Sequence, residues 1–271
     1  MYKLLRFPGF KDKAVTLSYD DGSKHDARLI DIMQQYGLKG TFNVCSSHLL
    51  EGGENSVPVS KYLDAGMEIA MHGQNHLWVV ACTGADEVRE FYQDKLDMER
   101  LTGCMMRGGA YAFGTYTDRT VELLRSLGVC YFRTCHQTNA FDLPGDFLRW
   151  PMTCTHSSPK LPELIDAFLA ERAKGAVYYE KPRLFYLMGH SWEFARDDSW
   201  GVIEDFGRRM AEREDIWHAT NAEICDYVKA FNGLLFTAAG DRVYNPSATD
   251  VYLWVDGKHV LAAAGRTTVI E

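Results

Sequence analysis

Four times in its first half the chain repeats one pattern: an amphipathic stretch closes on glycine, an apolar residue follows, and a short apolar run begins. It occurs at Tyr36-Gly37-Leu38 before GTFNV, at Ala65-Gly66-Met67 before EIAMH, at Thr102-Gly103-Cys104 before MMRGG and at Leu127-Gly128-Val129 before CYFRT. Glycine just past a helix takes up the left-handed backbone that other residues resist, so helices and strands alternate. Leu29, Ile32, Met33 and Tyr36 form one helical stripe. Thr117 reads as an N-cap ahead of Val121, Leu124 and Leu127, and Thr220 with Glu223 as a capping box ahead of Ile224, Tyr227, Val228 and Phe231. The strands AVTLSY and RLFYLM are unbroken apolar runs, as expected for strands buried on both faces. Alternation of this kind implies an α/β fold with a parallel sheet and helical crossovers, and roughly seven units fit before residue 232, which predicts a barrel.

After Asn232 the pattern changes. Val251–Val255, then Asp256-Gly257, then Lys258 onward read as a hairpin with a two-residue turn, and LLFTAA and TTVIE offer further strands. A segment this short cannot hold itself together. The expected division is therefore a barrel over residues 1–232 and a small β-rich extension over 233–271 packed on it.

Among the 271 residues, 37 acidic side chains outnumber 29 basic ones, which disfavours a nucleic-acid partner. No apolar run reaches the length of a membrane span, and MYKLLRFPGFKDK lacks an apolar leader core. The seven cysteines are odd in number and lack a C-x-x-C spacing, which predicts reduced thiols and a cytoplasmic protein with no membrane partner.

Three polar clusters close predicted strands: Ser18-Tyr19-Asp20-Asp21-Gly22, His72-Gly73-Gln74-Asn75-His76 and Gly189-His190-Ser191-Trp192-Glu193. In a β/α barrel the C-terminal strand ends share one face, so these residues converge on one mouth. Two imidazoles and a carboxylate can hold zinc with a position left open. The spacing of His72 and His76 lets both rings reach one ion from a helical turn or a tight loop. One carboxylate of the Asp20-Asp21 pair can join them while the other stays free as a general base. Taken singly, each cluster has a plainer explanation as a turn, a helix cap or a surface histidine; their joint occurrence at strand ends favours chemistry.

These residues resemble the polysaccharide deacetylases, the NodB-homology domains of carbohydrate esterase family four. LSYDDG is similar to that family's first motif, HGQNH to the second, RGGAYAFG to the third and LMGH to the fifth, in the family's order, over roughly residues 3 to 231. The resemblance implies a distorted (β/α)7-type barrel, a deformed TIM-like fold, to which the tail read above would add a small C-terminal β appendage. It implies a divalent metal, zinc above others, on Asp21, His72 and His76. It makes Asp20 the general base, His190 the general acid and Arg107 the partner of Asp20. The acetyl carbonyl of an acetylated carbohydrate would meet a backbone N–H of Tyr111 or Phe113, with Trp150 as an apolar wall and Trp192 available to stack on a sugar.

Two departures are visible. Extra residues separate Arg107 from the Phe113-Gly114 pair, and in Asp146-Phe147-Leu148-Arg149-Trp150 an arginine stands where the fourth motif has its second aspartate. Glu193 is a candidate to supply the missing carboxylate to His190. His25, His48, His136 and His156 are not assigned to metal. Two alternatives stay open: hydrolysis of another small or cyclic amide on the same barrel, and a carbohydrate-binding protein without catalysis.

Overall fold

A computed structural model of the chain describes residues 1–52, 55–171, 177–211 and 213–270. The chain runs β1 (Lys3–Arg6), β2 (Lys13–Asp20), α1 (Asp26–Gln35), β3 (Gly40–Val44), α2 (Ser46–Glu51), α3 (Val59–Asp64), β4 (Glu68–Met71), α4 (Gly84–Thr102), β5 (Gly108–Ala110), α5 (Asp118–Ser126) and β6 (Tyr131–Gln137). It continues through β7 (Trp150–Met152), β8 (Cys154–Thr155), α6 (Leu161–Leu169), β9 (Arg183–His190), α7 (Ser191–Arg196), α8 (Trp200–Ala211), β10 (Ile216–His218) and α9 (Asn221–Asn232). The tail holds β11 (Leu235–Phe236), β12 (Arg242–Tyr244), β13 (Val251–Val255), β14 (Lys258–Ala262) and β15 (Thr267–Val269).

Strands β2 to β7 pair in sequence order, β9 pairs with β2 on its other side, and β8 pairs with β9, all in parallel. Only Thr153 separates β7 from β8. One short stretch therefore pairs with β6 at its start and with β9 at its end, which closes the sheet into a distorted seven-position barrel. The short strand β10 adds to the start of β2. The four glycines of the repeated pattern have φ between 63° and 76° (Gly37, Gly66, Gly103, Gly128), the left-handed turns that the pattern requires. Thr117 and Thr220 both cap their helices as expected.

Period two sorts the residues of β2. Val15, Leu17 and Tyr19 pack outward with Leu29, Met33, Phe42 and Phe185 beneath the helices, while Ala14 joins an inner cluster with Tyr131, Trp150, Leu184, Tyr186 and Ile224. Its polar neighbours on that inner side are matched by hydrogen bonds. Thr16 Oγ1 donates to Asn221 Oδ1 at 2.9 Å, Asn221 Nδ2 donates to the Tyr186 hydroxyl at 2.6 Å, and the Tyr131 hydroxyl donates to Glu68 Oε1 at 2.6 Å. A buried network of this kind is tolerable because its members are paired. The register sets Asp20 level with His190 on one side and with Asn43 on the other.

The tail hairpin forms as read. Val255 pairs with Lys258, and Asp256 and Gly257 have φ of 45° and 94°, the two left-handed residues of a type I′ turn. The sequence does not reveal that β1 is the third strand of this sheet, antiparallel to β13, with Lys3 opposite Val255. Val243, Val251, Leu253 and Ala262 are buried with Ala230 and Leu234 at the end of α9. Strands β11, β12 and β15 form a second antiparallel sheet. Among the described residues, no helix is long and apolar enough to cross a membrane.

Candidate active site

The turn after β2 is narrow. Asp21 and Gly22 have φ of 79° and 73°. A Cβ on Gly22 would lie 2.4 Å from Val44 Cγ1, so only glycine fits there. Asp21 holds a left-handed conformation that a non-glycine residue adopts at some cost. This bend leaves Asp20 buried inside the barrel and Asp21 at its mouth.

His72 follows β4 and is buried. Its Nδ1 lies 2.9 Å from the Ala110 carbonyl oxygen, a hydrogen bond that requires the proton on Nδ1. The lone pair of Nε2 is then left facing Asp21 Oδ1 at 3.6 Å. His76, at φ 56°, brings its own Nε2 within 3.6 Å of the same oxygen. The two histidines thus meet from a tight loop, with ring centroids 4.8 Å apart. The donor atoms of Asp21, His72 and His76 all lie within 4.8 Å of one another. An imidazole tied through its far nitrogen to a backbone carbonyl is the usual outer support of a metal ligand, and two imidazoles with one carboxylate suit a divalent cation. The residues therefore fit the metal. Without a cation, burial opposes protonation of His72, but Asp20 and Asp21 outweigh it and raise its pKa. His76 is lowered by partial burial and by the neighbouring His72. Coordination needs both rings neutral.

Asp20 is held differently. Its Oδ1 accepts from Asn43 Nδ2 at 2.8 Å, and its Oδ2 is in short contact with the guanidinium of fully buried Arg133. Burial alone would raise the Asp20 carboxyl, but Arg133 first, and then His72 and His190, hold it below the ordinary carboxylate value. The expected partner, Arg107, is elsewhere: it precedes β5 at the opposite end of the barrel and forms an ion pair with Asp226 of α9. A residue before a strand cannot reach the mouth. Arg133, the third residue of β6, lies on the inward side.

His190 ends β9. Its Nδ1 is 3.3 Å from Glu193 Oε2, its backbone N–H donates to the same oxygen at 3.2 Å, and its Nε2 is 3.9 Å from Asp21 Oδ2. Glu193, the candidate partner of His190, is therefore the carboxylate beside its Nδ1. Arg149 itself pairs with Asp146 and Asp118. Burial disfavours a charged His190, but Glu193 and then the two aspartates raise its pKa overall. Glu193 Oε2 also lies 3.4 Å from Nε2 of His156, a ring that burial pushes down to about 4.

The four expected substrate-contacting aromatics divide. Phe113 is exposed at φ 56° with its ring edge-on to His76 at 4.5 Å. Trp192 is half-buried and donates its indole N–H to Asp21 Oδ2 at 3.1 Å. Tyr111 and Trp150 are core residues. The Tyr111 hydroxyl donates to the Leu148 carbonyl and its backbone N–H to the Arg133 carbonyl. Trp150 is enclosed by Tyr131, Phe147 and Tyr186. The sequence reading missed Arg133, Asn43 and the indole bond to Asp21. Arg133 was findable: an arginine two residues after Tyr131 in an apolar strand faces the same side as that tyrosine.

Residues 8–132 match the family model described as polysaccharide deacetylase. No curated protein matches the chain. Among solved structures, a Mycobacterium smegmatis protein provisionally described as a polysaccharide deacetylase superposes with TM-score 0.65 at 18% identity, over 84% of this chain and 94% of its own. PuuE allantoinase gives 0.62 at 14%, over 81% and 91%. The peptidoglycan deacetylase PdaC of Bacillus subtilis gives 0.52 at 14%, over 82% and 95%. At such identities the superpositions speak for the fold. The chain thus matches the polysaccharide deacetylase model over residues 8–132 and shares the barrel fold of these solved structures.

Proposed function

We propose that this protein is a metal-dependent deacetylase that hydrolyses the acetyl group, amide or ester, of an acetylated carbohydrate. One observation carries the reading: Asp21, His72 and His76 converge as a three-donor set, with a second carboxylate, Asp20, separately bound to Arg133, and a histidine, His190, beside its own carboxylate. Zinc is the ion we assign to the three donors. When bound, such an ion supplies a Lewis acid that polarises an acyl carbonyl and acidifies water.

The chain's own residues supply the rest. Asp20, kept ionised by Arg133, takes the proton from the attacking water. His190, with Glu193 at Nδ1, gives a proton from Nε2 to the leaving nitrogen or oxygen. The indole N–H of Trp192 holds one oxygen of Asp21 and leaves the other toward the imidazoles. With the Tyr111 N–H spent on Arg133, the Phe113 N–H is our choice of oxyanion donor. Phe113 and Trp192 are the aromatics we assign to substrate. The seven unpaired cysteines favour a reducing compartment, hence the cytoplasm.

Acetate release from N-acetylated chitooligosaccharides, abolished by a chelator and restored by zinc, is the expected result. The superposition on an allantoinase supports one second reading, hydrolysis of a small cyclic amide on the same site. Turnover of a cyclic ureide with no acetate release from any acetylated sugar would select it.

A further inference from the structure

We propose that Glu90 of α4 is a positioning residue for the metal site: its buried carboxylate holds the loop Gly73–Leu77 so that both imidazoles are set before a cation arrives. The inference rests on the metal reading above. Glu90 is only 2% exposed. Its Oε1 accepts the backbone N–H of Asn75 and of Leu77, each at 3.0 Å, and Oε2 makes a second contact to Asn75 at 3.2 Å. Its backbone carbonyl accepts the N–H of Gln74 at 3.2 Å. Asn75 and Leu77 flank His76, so the carboxylate grips the chain on both sides of that ligand.

One helical turn on, Asp94 presents the same face of α4. Its Oδ2 accepts the N–H of Gly73, next to His72, and its Oδ1 accepts that of Ser46, both at 3.0 Å. The loop needs such holding. It contains two left-handed residues, Gly73 at φ 83° and His76 at φ 56°, and a histidine does not rest there unaided. The fit is close: a Cβ on Gly73 would lie 2.4 Å from Glu90 Oε1. A carboxylate accepts from N–H groups more strongly than a neutral oxygen. An amide in its place would turn an NH2 group toward donors.

The test is calorimetric titration of zinc into metal-free wild type and Glu90→Gln. The variant is expected to bind about 10- to 100-fold more weakly, and Glu90→Asp, which keeps the charged acceptor, to recover part of the loss. Equal affinity in wild type and Glu90→Gln overturns the positioning role alone. Failure of the wild type to bind zinc sinks the metal reading and this role with it. A measurement that needs no variant is hydrogen exchange of metal-free wild type. The Asn75 and Leu77 amides are expected to exchange slowly before zinc is added. Fast exchange that slows only with zinc overturns the proposal, since the cation and not Glu90 would then order the loop.

Discussion

At the residue scale the site depends on which arginine faces Asp20. Arg133 is fully buried against it, whereas Arg107 and Asp226 are each partly exposed at the far end of the barrel. Removing one partner of a buried pair leaves an uncompensated charge, so Arg133→Met should cost about 3–5 kcal/mol. Arg107→Met should cost about 0–1 kcal/mol, as for an exposed pair. Urea denaturation of the two variants distinguishes them, and equal losses would contradict the assignment. Asp20→Asn keeps the three candidate donors and removes the proposed base, so zinc should stay bound while acetate release falls by about 10²–10⁴-fold. The donors Asp21, His72 and His76 were legible because each lies within a short motif at a strand end. Arg133 belongs to no such motif. It acts from mid-strand through the barrel's interior, and only the barrel's closure brings β6 opposite β2.

At the element scale, buried polar groups join the crossovers behind the site. Asp26, at the start of α1, is fully buried. Its carboxyl accepts from the Tyr62 hydroxyl of α3 at 2.8 Å and from the Ser191 hydroxyl of α7, the residue between His190 and Trp192. Burial first, with the charges of Asp21 and Asp20 adding to it, outweighs these two hydrogen bonds and pushes the carboxyl up to about 7. A raised acid binds its proton more tightly folded than unfolded. Its contribution is therefore complete below the unfolded value near 3.8 and is lost as pH rises through 7. Between roughly pH 5 and pH 8 the wild type should lose about 2–3 kcal/mol that Asp26→Asn does not lose. Parallel denaturation curves for the two proteins across that range would contradict it. The strands and helices themselves were readable because glycine C-caps and threonine N-caps are local devices. The two short strands β7 and β8 were not: neither exceeds three residues, and their identity as strands comes from pairing with β6 and β9.

At the scale of the whole molecule, the tail is tied to the chain's beginning through β1 and to α9 through a shared apolar core. Leu253 is fully buried at the centre of this sheet, opposite Leu5 and Val260. Leu253→Ala should cost about 2–5 kcal/mol. A loss under about 1 kcal/mol would mean that the extension contributes little to the fold. The hairpin turn was visible in Asp256-Gly257, but the pairing of residues 3–6 with 252–255 joins the two ends of the sequence, and no local pattern encodes so distant a contact.

The central claim is that Asp21, His72 and His76 hold a catalytic cation. Elemental analysis of wild type beside His72→Ala, both incubated with zinc and then freed of excess, tests it most directly. The account predicts about one zinc per wild-type chain and close to none in His72→Ala, in keeping with a three-donor site. A wild type that emerges without metal, or a His72→Ala variant that keeps its full complement, would contradict it.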